Sequence, residues 1–125
     1  MIADDAPLAA SLEVICTVCD TTAMRMQLFE PVNAHDKPHL MIDGFLNHIE
    51  TVVDLEAFTP LKTHFDARDI VAIYKLHRLW MPCYCPTCDA IYCRGHWATE
   101  TLFDEGFYDC IRGTCPNGHT RTVDD

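Results

Sequence analysis

The sequence predicts an α+β fold closed by two interlocked metal sites, with a helical segment inserted between the first and second ligand pairs. Three observations predict it. Cysteine and histidine recur as four closely spaced pairs, Cys16/Cys19, Cys85/Cys88, Cys93/His96 and Cys115/His119. Six thiols and two imidazoles make two sets of four, and four N/S ligands in a tetrahedron is what a structural zinc ion takes. Residues 23–29 alternate, with Met24, Met26 and Leu28 on one side and Arg25 and Gln27 on the other, the period of a half-buried strand. Residues 30–82 hold no cysteine, and within them Ile70, Ile73, Tyr74 and His77 recur at helical spacing.

Taken in order, residues 1–11 read as a short mobile arm. Leu12 to Cys16 reads as a strand, so Cys16 and Cys19 fall in the turn between two strands. Pro31, Asn33 and Asp36-Lys37-Pro38 mark a loop. The span 38–53 is expected to be helical, with Pro38 in its first turn and Leu40, Met41, Phe45, Ile49 and Val52 on one face. Gly44 weakens that reading, and Leu40-Met41-Ile42 also suits a short strand. Residues 54–60 form a turn or short helix. A firmer helix runs over 66–79, with Asp66 as N-cap, Asp69 in the first turn, His77 and Arg78 in the last, and Pro82 as its stop.

Met81 to Cys85 is extended, Pro86-Thr87 turns the chain, and Ile91-Tyr92 makes a short strand. A helix is expected over 94–103, carrying His96 in its first turn and Trp97 toward the core. Phe107 to Arg112 and Thr120 to Val123 form a hairpin tipped by Cys115 and His119. Residues 1–125 thus read as one zinc-binding domain, and 30–82 as its insertion.

At 125 residues and 49% hydrophobic content, the chain has enough apolar mass for a core, yet is small enough for metal staples to matter. Its net charge is −10, from 9 Lys+Arg against 19 Asp+Glu, and metallation by six thiolates and two dications makes it more negative. A phosphate-binding surface wants a basic face, so nucleic acid is not an expected partner. A basic protein partner is the natural inference, beside the plainer reading that an acidic surface serves solubility. The N-terminus lacks the basic start and apolar run of a secretory signal, and no apolar segment reaches transmembrane length. The expectation is a cytoplasmic protein without membrane contact, whose cysteines are metal ligands rather than disulfides.

Two pairings of the ligands are open. Cys85/Cys88 and Cys93/His96 share one ion in the first, leaving Cys16/Cys19 with Cys115/His119. The second interleaves them, Cys16, Cys19, Cys93 and His96 on one zinc and Cys85, Cys88, Cys115 and His119 on the other. Interleaving is preferred because strand-like Ile91-Tyr92 extends away from the first turn rather than folding back, and it makes both sites Cys3His. Cys83 is read as a core thiol or an alternative to Cys85, and Cys110 as core. A single zinc ribbon of Cys85, Cys88, Cys110 and Cys115 is the minor alternative. A redox Cys-x2-Cys lacks its thioredoxin-like setting. His35, His39, His48, His64 and His77 read as surface or core residues. Thiolate-rich, fully paired sites are closed, so hydrolysis with Glu100 or Glu105 as base is not expected.

Interleaved pairs are the cross-brace of RING domains and related ubiquitin-associated fingers. Cys85-x2-Cys88-x4-Cys93-x2-His96 is similar to the middle of the small zinc finger of eukaryotic stress-response proteins. Ile15-Cys16-Thr17-Val18-Cys19 resembles a RING start, and Cys115-Pro116 with His119-Thr120-Arg121 resembles a RING end. The middle order Cys-Cys-Cys-His and the long segment between the first two pairs differ from a standard RING. The resemblance implies a treble-clef cross-brace held by two structural Zn2+. It also implies a ubiquitin-conjugating enzyme as partner, contacted by Val18 and Pro116, with Arg121 as the linchpin of a ligase that acts by positioning and forms no covalent intermediate. The alternative is a small acidic inhibitor or immunity-type protein covering a basic surface of a nuclease or toxin. A third, plainer option is a structural subunit of a larger complex.

Overall fold

Alternation builds the first layer. The computed structural model describes residues 6–46 and 48–125; part of the expected arm, residues 1–5, lies outside them. Leu8–Ile15 (β1) and Thr22–Phe29 (β2) pair antiparallel, with Leu12 opposite Met26 and Val14 opposite Met24. These four side chains and Leu28 are buried, while Glu13 and Arg25 on the other face are exposed. β1 therefore starts inside the stretch expected to be an arm.

His39–Asp43 (β3) pairs with β2 and Ile49–Val52 (β4) with β3, giving an antiparallel sheet in the order β1-β2-β3-β4. The helix expected over 38–53 is thus a hairpin. Leu40 and Ile42 sit opposite Leu28 and Met26 and extend the buried rows of β2. Gly44 takes φ +91° at the turn, a conformation that costs a side-chain-bearing residue and ends a helix. The N–H of Val53 closes the hairpin on the carbonyl of Pro38 at 2.8 Å. The helical spacing of Phe45, Ile49 and Val52 is coincidental: Phe45 turns into the core while Val52 is half exposed.

Leu55–Ala67 (α1) and Ile70–Leu76 (α2) follow, α1 packed on β1 and α2 on α1. Leu61, Phe65 and Ile73 carry their buried faces. The single helix expected over 66–79 is broken here, because Arg68 adopts a left-handed φ of 53° and ends α1. Asp69, not Asp66, is the N-cap, its carboxylate accepting the Ala72 N–H at 3.1 Å. Asp66 pairs instead with Lys62 one turn back, at 3.1 Å. A 3-10 turn over 78–80 then brings Trp80 onto the His77 ring, centroids 5.0 Å apart. Trp80 is half-buried and Met81 and Pro82 are buried, so this stretch is no exposed patch.

The C-terminal third adds a two-stranded ladder, Tyr84–Cys85 (β5) with Ala90–Ile91 (β6), and a three-stranded sheet, Ala98–Asp104 (β7), Phe107–Thr114 (β8) and Thr120–Asp124 (β9), in the order β7-β8-β9. The helix expected over 94–103 is a 3-10 turn, 94–96, followed by β7. Ala98, Glu100 and Leu102 favour helix locally, but pairing with β8 from Ala98↔Thr114 to Asp104↔Phe107 overrides that preference. The predicted α+β cross-brace with a helical insertion is therefore corrected. Nine strands in three antiparallel sheets dominate the described residues, only two α-helices occur, and 30–82 opens with β3 and β4. One core runs from Leu12 to Val123 through all these parts. No helix among the described residues is long and apolar enough to cross a membrane.

Gly113 on β8 shows how tightly the parts close. A Cβ there would lie 2.9 Å from Trp97 Cε3 and 3.0 Å from Val123 Cγ1, both on buried side chains. Gly113→Ala is expected to cost about 1–3 kcal/mol of stability by overpacking. A urea midpoint lowered at unchanged metal content is the measurement.

Candidate metal centres

Two tight turns and two loops carry the ligands. Between β1 and β2 the N–H of Cys16 bonds the Thr21 carbonyl at 2.8 Å and the N–H of Asp20 returns to the Cys16 carbonyl at 3.1 Å, with Asp20 left-handed at φ 59°. That turn exposes Cys19 while Cys16 is buried. It is sewn to β6, since the Thr17 N–H bonds the Ile91 carbonyl at 2.8 Å and the Ile91 N–H bonds Thr17 Oγ1 at 3.1 Å. β6 runs directly into Cys93 and the turn bearing His96. In the β5–β6 turn, Asp89, directly after Cys88 and four residues after Cys85, is likewise left-handed, at φ 52°. The β8–β9 turn returns through Gly118 at φ +87°, between Cys115 and His119.

Two sets of four converge: Cys16, Cys19, Cys93 and His96, and Cys85, Cys88, Cys115 and His119, each with its ligand atoms within 4.8 Å of one another. In the first, Cys19 and Cys93 sulfurs are 3.7 Å apart, and His96 Nδ1 lies 3.2 Å from Cys93 Sγ and 3.7 Å from Cys16 Sγ. In the second, Cys88 and Cys115 sulfurs are 3.8 Å apart, and His119 Nδ1 lies 3.2, 3.4 and 3.8 Å from Cys88, Cys115 and Cys85. A tetrahedral ion with bonds of about 2.3 Å to sulfur and about 2.0 Å to nitrogen sets S···S edges of about 3.8 Å and S···N edges of about 3.5 Å. A disulfide would require about 2.05 Å. The donor set fits a metal ion, and each set can hold one.

Hydrogen bonds brace the second set. The Cys88 N–H points at Cys85 Sγ (3.5 Å), the His119 N–H at Cys115 Sγ (3.4 Å), and the Asn117 amide nitrogen at Cys88 Sγ (3.2 Å) and the Tyr92 hydroxyl (3.4 Å). The amide of Asn117, and after it the hydroxyl of Tyr92, bring the Cys88 thiol down to about 6. Burial instead pushes the Cys85 thiol up. At Cys16 burial opposes ionisation, but the backbone N–H groups of Cys19 and Cys93 outweigh it and bring the thiol down to about 6. Sequence reasoning passed over Asn117, although a donor two residues after a ligand, within a Cys-x3-His turn, was there to be read. Asn117→Ala is expected to weaken metal binding at this set about tenfold, as loss of an outer-shell partner does, measured by chelator competition.

The remaining cysteines stand apart. Burial pushes the Cys83 thiol up to about 12; its sulfur lies among the thioethers of Met24 and Met81, and its carbonyl accepts the Trp97 indole N–H at 3.3 Å. Cys110 lies on β8 outside both sets. Val18 is 56% exposed on the first turn, and Pro116 is exposed on the last. Arg121 is part-buried. Its Nη1 donates to the carbonyls of Met81 (2.9 Å) and Tyr84 (2.8 Å), its Nη2 to that of Arg78 (2.9 Å) and its Nε to that of Thr122 (3.0 Å), with the guanidinium 5.2 Å from the Tyr74 ring centroid.

Fold and site together define a small, β-rich domain with two Cys3His sets able to bind metal. The chain belongs to the family described as "Domain of unknown function (DUF8328)", whose family model matches residues 7–125. No curated protein and no solved structure matches it.

Proposed function

We propose that this chain is a zinc-stabilised protein-interaction module whose partner presents a basic surface. The observation that carries the reading is the closure of both ligand sets. Three thiolates and one imidazole would fill all four tetrahedral positions of an ion at each set, the arrangement of a structural zinc rather than of one that keeps a position for substrate. Soft thiolates favour zinc over magnesium or calcium. With the metals shaping the fold, recognition falls to the surface, where a net charge of −10 complements a cationic partner. An inhibitor that covers a nuclease or toxin fits this description.

A second reading rests on Val18, exposed on the first ligand turn as a conjugating-enzyme contact would be. Against it stands Arg121, whose guanidinium is committed to carbonyls of its own chain. The two readings part in solution. For the first, the zinc-loaded chain, used to screen a displayed library of genomic fragments, enriches overlapping fragments of one protein, and raising the salt removes them. No enrichment, or enrichment equally strong with metal-stripped chain, sinks it. For the second, the chain would accelerate discharge of a ubiquitin-loaded conjugating enzyme, and Val18→Ala would not.

A further inference from the structure

The end of the β7–β8 hairpin carries a combination the metal sites do not explain. Every residue from 103 to 109 is exposed, and three are aromatic: Phe103 at 66%, Phe107 at 77% and Tyr108 at 48%. Phe103 and Tyr108 are cross-strand partners, and Phe107, next along β8 and paired with Asp104, points to the opposite face of the hairpin. Tyr108 is steadied by donating to the carboxylate of Asp124 on β9. Isolated exposed apolar residues are ordinary, but three exposed rings gathered at one hairpin end mark a site that something covers.

The strand leading to this end is an edge. β7 pairs only with β8, and no hydrogen bond outside that ladder involves residues 98–104 among the described residues. Edge strands are normally blunted by charged side chains, lysine above all, or by proline, strong bulges or a covering element, and on β7 only Glu100 and Asp104 serve that end. β7 contains neither lysine nor proline, and its one irregularity lies at its far end, between Leu102 and Phe103. Its start is held rigid: the Trp97 N–H closes on the Arg94 carbonyl at 3.2 Å, one residue after His96. The charges are mostly of one sign, with Glu100 and Asp104 on β7 and Glu105 and Asp109 after them, against the single cation Arg112, which faces Glu100 across the ladder.

We propose that the β7 edge and the aromatic end of the hairpin form one docking surface, which takes an extended, lysine- or arginine-bearing segment of a partner protein as an added strand. Backbone hydrogen bonds to β7 supply the affinity common to strand addition. Glu100 and Asp104 select cationic side chains, and Phe103 and Phe107 cover the apolar ones. A second copy of the chain is a poor occupant, because edge-to-edge pairing would crowd the same carboxylates of two molecules each at −10. This inference rests on the interaction-module reading and names its surface.

The test uses the zinc-loaded full chain and a labelled octapeptide of alternating lysine and valine, followed by fluorescence anisotropy and by amide shifts in NMR. Expected are perturbed amides over 98–104, binding about tenfold weaker for the peptide N-methylated at alternate residues, and a loss of about tenfold or more in Phe103→Ser/Phe107→Ser. That double variant should keep its metal content and thermal transition, since both rings are exposed. Glu100→Lys/Asp104→Lys should bind an alternating glutamate–valine peptide in preference. Equal binding of the N-methylated peptide, perturbation of a different edge, or self-association that Phe107→Ser abolishes would each overturn the proposal. Genomic fragments still captured by the double serine variant would leave the interaction module standing and place its surface elsewhere.

Discussion

Removing the bound metal with a chelator is expected to abolish the cooperative thermal transition of this chain, and returning zinc, but not magnesium, to restore it. Structural zinc sites contribute apparent binding free energies of about 10–16 kcal/mol each, while a whole domain is stable by only about 5–15 kcal/mol. Loss of either site is therefore as large as, or larger than, the stability of a whole domain. The connectivity sharpens this. The first set fastens the β1–β2 turn to the segment entering β7, and the second fastens the β5–β6 turn to the β8–β9 turn. Cys16, Cys85 and Cys115 are core residues, 0%, 1% and 4% exposed, so an unmetallated set leaves thiols crowded in the interior. Cys16→Ser and Cys115→Ser should each retain at most one ion and lose the sharp transition. Calorimetry with metal analysis of the same samples decides it; a chelated chain that melts as the loaded one does would make the metals incidental.

The four ligand pairs were legible because a two- or three-residue spacer is a local constraint: it lets two donors reach one ion whatever the surrounding fold. The strand over 23–29 was legible for the same reason, its period of two lying wholly within one element. What the sequence hid was non-local. Leu40 and Ile42 supply only one repeat of alternation before Gly44 turns the chain, too short to compete with an accidental helical stripe through Phe45 and Ile49. Ala98 to Phe103 becomes a strand because β8 lies beside it. In the 66–79 segment, the left-handed Arg68 moved the cap from Asp66 to Asp69, and no pattern in the apolar spacing announces such a residue. Each of these features makes a strand look helical or shifts a helix boundary, which is why apolar spacing alone points to an α+β fold while the chain is mostly antiparallel sheet. The ligands escape them.

Arg121→Met is expected to destabilise the chain by about 2–4 kcal/mol, as much as truncating a buried core side chain. Its guanidinium donates to three carbonyls of one segment far from it in sequence, those of Arg78 and Met81 around the 3-10 turn and of Tyr84 on β5. Hydrogen bonds from a charged donor are worth about 1.5–3 kcal/mol, although the Arg78 and Met81 carbonyls each keep one backbone N–H donor, from Met81 and Tyr84. Burial pulls the guanidinium below its usual value, in the direction desolvation requires, and the group remains charged. Arg121→Lys should recover only part of the loss, because one ammonium cannot span carbonyls that a planar fork reaches together. Arg112→Met, exposed on β8, should stay within about 0.5 kcal/mol of the parent. Urea midpoints at constant slope give the comparison. Because Tyr84 adjoins Cys85, the second ligand set should also release zinc to a competing chelator more readily in Arg121→Met than in Arg112→Met. If Arg121→Met keeps full stability and full zinc affinity, these contacts contribute nothing to folding, and the guanidinium is available to meet a partner instead.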